Sequence, residues 1–413
     1  MADSRILNPT SRPIIVTDID VRYDSWRVLA AATALNAPFG ALYAFSVLLQ
    51  PLEALLGLSR ADLALVFALA AAGFGIGMML APALHRIAST PWLVLACGAT
   101  NALGIALAAT AGSLVQLAIG YGALFGVGGG AAYIVMQQMV NLAVTRRRGL
   151  VNGYIVSLLP AGAVIAAPTF GWAIPAFGVR AALGGFAATL AVTGLVSAWL
   201  AAPAGIGLAG ATESVALRED ERRRPVFWRL SLVFFLAASA GLMVLSQAAG
   251  IITAYGGAAP LAVYGTTAIT ATIAAARLGG GWMVDWLAIP TVAAGANAIA
   301  LAGNVALTLW PGPAVAVAAL ALVGVGYGLV SGLTAAAVAV YWRRALYGRM
   351  ASRVYIAWCA AAIVLPIIAG RLFDLTHGYG TAVLIAGVGN ALGIFVALGL
   401  PRHRSSLEAP RRS

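Results

Sequence analysis

Leu261 to Trp286 reads LAVYGTTAITATIAAARLGGGWMVDW. The stretch is apolar and rich in Gly, Ala and Thr, and it is long enough to cross a bilayer. It carries one guanidinium, Arg277, inside the apolar run, and Asp285 follows eight residues later where the run ends. If Asp285 marks a membrane surface, the rise of 1.5 Å per residue puts Arg277 about 12 Å below it. A charge at that depth costs about 2.5–3.5 kcal/mol on insertion scales, so it faces a cavity or a partner. The rest of the chain has to supply that surrounding.

Composition fixes the class. The 413 residues are 62% hydrophobic and 9% charged, with a mean hydropathy of +0.94. Soluble domains carry about 25% charged residues, so the expectation is an all-α polytopic membrane protein. All 25 basic residues are arginine. An Ala-, Gly- and Arg-rich chain without lysine points to a GC-rich bacterial genome, and so to a bacterial inner membrane. Cys97 and Cys359 sit in apolar runs and fit neither a disulfide nor a metal spacing. With only three histidines, no metal or other cofactor is expected. Met1 to Ser25 has no apolar core of signal-peptide type.

Working outward, apolar runs of spanning length fall at 26–49, 61–84, 91–110, 115–140, 151–173, 179–201, 227–251, 258–284, 288–310, 313–341, 352–373 and 380–400. That predicts twelve transmembrane helices. The only substantial polar connection, Pro203 to Pro225, divides them six and six. The expected layout is a tail over 1–25, a six-helix bundle over 26–201, a linker over 202–226, a second bundle over 227–400 and a tail over 401–413. The ends and the even-numbered connections hold 21 of the 25 arginines, including Arg146 to Arg148, Arg343 and Arg344. By the positive-inside rule both termini and the linker are cytoplasmic. The net charge of +12 therefore reflects topology and anionic headgroups, and nucleic acid is not an expected partner.

The halves resemble each other. Trp26-Arg27 opens the first span and Trp228-Arg229 the seventh. Gly126-Val127-Gly128 precedes Arg146 to Arg148 as Gly324-Val325-Gly326 precedes Arg343-Arg344. Two six-helix pseudo-repeats of parallel topology are the arrangement of the major facilitator fold. The glycine groups Gly73, Gly75 and Gly77, Gly126 to Gly130, and Gly279 to Gly281 read as packing positions, because small residues let membrane helices approach.

More specific residues carry a family resemblance. Phe39 to Leu84, with Gly40-Ala41-Leu42-Tyr43, Ser46 and the turn Ser59-Arg60-Ala61-Asp62-Leu63, is similar to the bacterial oxalate:formate antiporters, as is Gly126 to Gly153 with Tyr133 and Arg148-Gly149-Leu150. These antiporters are a carboxylate-transporting branch of the major facilitator superfamily, related to monocarboxylate transporters. The resemblance implies that an arginine in the eighth span and a lysine in the eleventh bind the two carboxylates of oxalate, with aromatic residues lining the cavity. Arg277 matches the arginine. The lysine is missing, and Ala361 stands at its expected place in YIAWCAAA, residues 355–362. With one cation a dianion keeps an unpaired charge in a low-dielectric cavity, which favours a monocarboxylate.

The expected substrate-binding residues are Arg277, Tyr43, Tyr133, Tyr327 and Trp358. The tyrosine hydroxyls donate to a carboxylate while the rings shape the pocket, and Trp358 fills space beside the substrate. Gln137 and Gln247 read as interhelical hydrogen-bonding residues, and Arg146 to Arg148 mainly as a topology signal. No Asp, Glu or His lies deep in a span, so anion exchange or facilitated diffusion is expected rather than a proton relay. The expected protein is thus no enzyme but a monomeric, alternating-access transporter in the lipid bilayer, moving a small organic anion. The alternative is a carrier of a neutral or drug-like molecule in which Arg277 is structural.

Overall fold

The computed structural model describes residues 25–85, 87–144, 146–202 and 223–402. The predicted tails and most of the linker lie outside the described residues. Within them, eleven unbroken helices are long and apolar enough to span a membrane: Asp62–Leu84, Thr90–Ala109, Leu114–Ala143, Arg148–Phe177, Val179–Ala201, Arg224–Ala254, Pro260–Val284, Ile289–Leu309, Pro313–Tyr341, Arg344–Phe373 and Gly380–Leu398. A twelfth crossing, first in chain order, is the pair Ser25–Leu42 and Phe45–Leu56, bent by 53°. The spans are numbered one to twelve in chain order from this pair. Among the described residues there is no strand.

Two departures from the expected spans have physical causes. The first span does not run straight over 26–49 but breaks at Tyr43-Ala44 and continues to Leu56. Pro38 offers no N–H to a helix, and Pro38–Leu42 tightens into a 3-10 turn. Gly40 here packs on the backbone of Leu159 to Ala163 in span five, where a Cβ would collide. Several helices also extend past their apolar runs. Arg148, Arg344 and Arg349, outside the predicted runs, belong to the N-terminal ends of spans five and eleven, since long basic side chains reach the interface while their backbone stays helical.

Local sequence sets the ends. Ser59 and Asp62 form a capping box at the start of span two. Asp62 Oδ2 accepts from the Ser59 N–H at 3.0 Å, and Ser59 Oγ accepts from the Asp62 N–H at 3.2 Å. The turn that carried part of the family resemblance is thus a helix start. Span four contains a π-helical stretch, Ala118–Phe125, which turns Tyr121 toward the broken first span, where its hydroxyl donates to Ala41 O at 3.4 Å.

The first six spans meet the last six along few lines. Span eight lies on span five with backbone almost touching backbone: a Cβ on Gly281 would sit 2.5 Å from Gly153 Cα. Span eleven lies against spans two and four, where Cys359 Sγ faces Gly75. Gln138 accepts from Gly348 N–H and donates to Arg344 O at 3.1 Å. Asp285, at the end of span eight, accepts from the Gly149 and Leu150 N–H groups at 2.8 and 2.9 Å. These latter contacts tie the arginine-rich face together by satisfying the free donors at the starts of spans five and eleven.

Candidate functional site

Where spans one, two, four, five, eight, ten and eleven converge, a small cavity is lined by Tyr43, Phe74, Tyr133, Leu159, Arg277, Ser331, Tyr355 and Trp358. Its free volume of about 10 Å³ admits roughly one water. A larger crevice of about 710 Å³ lies between Leu29, Ala34, Tyr154, Leu200 and Leu278. That crevice is almost wholly apolar and has no charged lining, so the chemistry belongs to the small cavity.

Arg277 is 2% exposed. Its Nη1 donates to Val156 O at 3.0 Å and its Nη2 to Tyr327 Oη at 2.7 Å, and the guanidinium carbon lies 5.2 Å from the Tyr327 ring centre. The guanidinium thus has both protein partners and a cavity beside it. Among the described residues its buried Nε has no hydrogen-bond partner, and no acid lines the cavity. Tyr43 lies beside the guanidinium and interacts with it.

Tyr327 Oη also accepts from Trp358 Nε1 at 2.8 Å. One hydroxyl thus takes two donors, and among the described residues no acceptor takes its own proton. Tyr133 and Tyr355 place their hydroxyls 3.3 Å apart with rings nearly perpendicular at 86°, and Phe74 packs against both Tyr133 and Trp358. The cavity therefore presents one cation, several hydroxyls and apolar ring surface.

The structure brings Arg277, Tyr43, Tyr133, Tyr327 and Trp358 into one group. It adds Phe74, Ser331 and Tyr355, which sequence reasoning did not name. Tyr355 lies one helical turn before Trp358, a spacing that shares a face, and this was the available signal. Ala361 is fully buried and does not line the cavity. Gln137 and Gln247 sit in interhelical bonds, to Tyr347 at 2.7 Å and Tyr379 at 3.1 Å.

A family profile described as Major Facilitator Superfamily matches residues 29–366. Monocarboxylate transporter 11 of the mouse, Mus musculus, is 26% identical, over 91% of this chain and 87% of its own length. Among solved structures, the transporter FucP in the outward conformation superposes with a TM-score of 0.75 at 16% identity, covering 93% of this chain and 100% of that one. The proton:xylose symporter XylE bound to 6-bromo-6-deoxy-D-glucose gives a TM-score of 0.74 at 14% identity, over 92% and 97%.

Proposed function

The chain belongs to the Major Facilitator Superfamily, and from that premise we propose that this transporter carries a small organic anion, a monocarboxylate, bound by Arg277. The carrying observation is the buried Arg277 guanidinium, with an unpaired Nε and no acid beside it, opening into a cavity lined by tyrosines. A planar guanidinium fork suits a carboxylate because two N–H groups meet two oxygens. The Tyr327 proton and the Tyr43 hydroxyl supply further donors. The mouse relative is named a monocarboxylate transporter, which supports the same substrate class.

The bundles over 26–201 and 227–400 rock about this site, and the arginine-rich face is the cytoplasmic one in a bacterial inner membrane. The cavity of about 10 Å³ is smaller than any organic acid, so binding parts its aromatic walls. Oxalate is disfavoured because Arg277 is the single cation of the cavity wall among the described residues, and a second carboxylate finds no cation among them there.

Transport in proteoliposomes tests this, with formate, lactate, pyruvate, glycolate and oxalate, with and without internal counter-anion. Wild type is compared with Arg277→Gln at equal folded yield. Hydrogen bonds to charged groups contribute roughly 1.5–3 kcal/mol, so the variant is expected to lose about 10- to 150-fold in substrate affinity. A second reading rests on the bonds from Arg277 to Val156 O and Tyr327 Oη: in it the arginine holds spans five, eight and ten together and the substrate is neutral. Wild-type transport by Arg277→Gln would establish that reading and remove the first.

A further inference from the structure

The arginine-rich face holds a second guanidinium that the transport site does not use. Arg148 opens span five directly after Arg147, whose φ of 49° is left-handed and unfavourable for a residue other than glycine. The sharp turn lays span five against the end of span four, where Asn141 and Asn152 exchange bonds of 2.8 and 2.9 Å. From the last six spans, Tyr347 shares its proton between Gln137 Oε1 at 2.7 Å and Asn152 Oδ1 at 3.0 Å.

Arg148 lies at this seam. Its Nε and Nη2 are buried and bonded to nothing among the described residues. Asn152, one turn after Arg148, donates to Arg148 O at 2.8 Å and accepts from Tyr347, itself one turn after Arg344, so the starts of spans five and eleven lie side by side with Arg344 in electrostatic reach of Arg148. Two like charges thus approach from opposite halves of the chain. Asp285, at the end of span eight and facing the start of span five, directs its two oxygens to the Gly149 and Leu150 N–H groups. Buried donors on a charged group are costly when unmade, and repulsion between the arginines adds to that cost. An oxyanion with two acceptor oxygens removes both penalties at once.

We infer that Arg148 and Arg344 form a second anion site that takes a small oxyanion, carboxylate or phosphate, bridging the first and last six spans and holding the arginine-rich face closed. Arg344 is exposed, so the site is reached from the adjoining solution or from a lipid headgroup at the interface. Occupied, it locks that face; empty, the arginines push it open. The exchange rate then falls when oxyanion on that side is abundant. The site is independent of whether Arg277 carries the substrate.

The test is hydrogen–deuterium exchange on the full chain in phosphatidylcholine nanodiscs, in wild type and in Arg277→Gln, so that binding at Arg277 is accounted for. Sodium acetate and sodium phosphate are compared with sodium chloride at equal ionic strength. A second arm replaces part of the lipid by phosphatidylglycerol with chloride only. Acetate or phosphate is expected to slow exchange several-fold in segments 141–152 and 344–352, in both proteins. Protection in the phosphatidylglycerol arm alone assigns the oxyanion to lipid phosphate. The effect is expected to vanish in Arg148→Gln and to weaken in Arg344→Gln, whose exposed side chain makes it the variant to rely on should Arg148→Gln fold poorly. No protection in either arm, equal protection by chloride, or undiminished protection in Arg344→Gln would overturn the site.

Discussion

Tyr327 is the residue on which the candidate site turns. Its hydroxyl accepts from Arg277 and from Trp358, so it fixes the guanidinium and the indole together. Tyr327→Phe leaves both donors buried and unpaired, a cost of about 1–3 kcal/mol for each group. A lower thermal midpoint in detergent is expected, together with substrate affinity reduced at least tenfold. An unchanged midpoint and affinity would remove Tyr327 from the site. Arg277, Tyr43, Tyr133 and Tyr327 were legible in the sequence because a guanidinium or a phenol stands out in an apolar run and the family resemblance pointed to these positions, and Trp358 because it flanks the place of the missing lysine. Phe74 and Ser331 were not, since an aromatic or a serine in such a run is unremarkable until neighbouring helices decide which face turns inward. The bond to Val156 O was equally hidden, being a contact with backbone rather than with a side-chain type.

At the scale of elements, the twelve spans were readable because apolar length alone sets them. The break at Tyr43-Ala44 was not, because it arises from Pro38 acting together with the close seating of Gly40 on span five, which is tertiary. The glycines of span eight make the same distinction testable inside one helix. A Cβ on Gly281 would lie 2.5 Å from Gly153 Cα, whereas one on Gly279 meets only Leu329 Cδ2 at 3.8 Å. Overpacking costs about 1–3 kcal/mol, while glycine in an open helical position is worse than alanine by about 1 kcal/mol. Gly281→Ala is therefore expected to lower the thermal midpoint and to force spans five and eight apart at the arginine-rich face. Gly279→Ala is expected to be neutral or stabilising. Equal effects of the two would show that the span five–eight contact is not the tight crossing described here.

For the whole molecule, the decisive feature is where its titratable groups lie. Among the described residues the acids are Glu53, Asp62, Asp285 and Asp374, and the histidines are His85 and His377. All of them sit toward the ends of spans, and none lines the cavity. His85 closes span two with Nδ1 3.0 Å from Ala81 O, and burial holds its imidazole below the usual histidine range, so it is neutral from pH 7 upward. With no acid or histidine in the cavity wall among the described residues, the proposed carrier is expected to exchange anions, or to let them equilibrate, rather than to relay a proton through the site. In proteoliposomes between pH 7 and 8, preloaded counter-anion is therefore expected to drive uptake. A pH gradient of about one unit, with equal anion on both sides, is expected to drive none. That gradient is worth about 1.4 kcal/mol, or tenfold accumulation for a carrier moving one proton per anion. Accumulation approaching tenfold would mean that the proton travels with the substrate or through groups outside the cavity, and the exchange reading would fall.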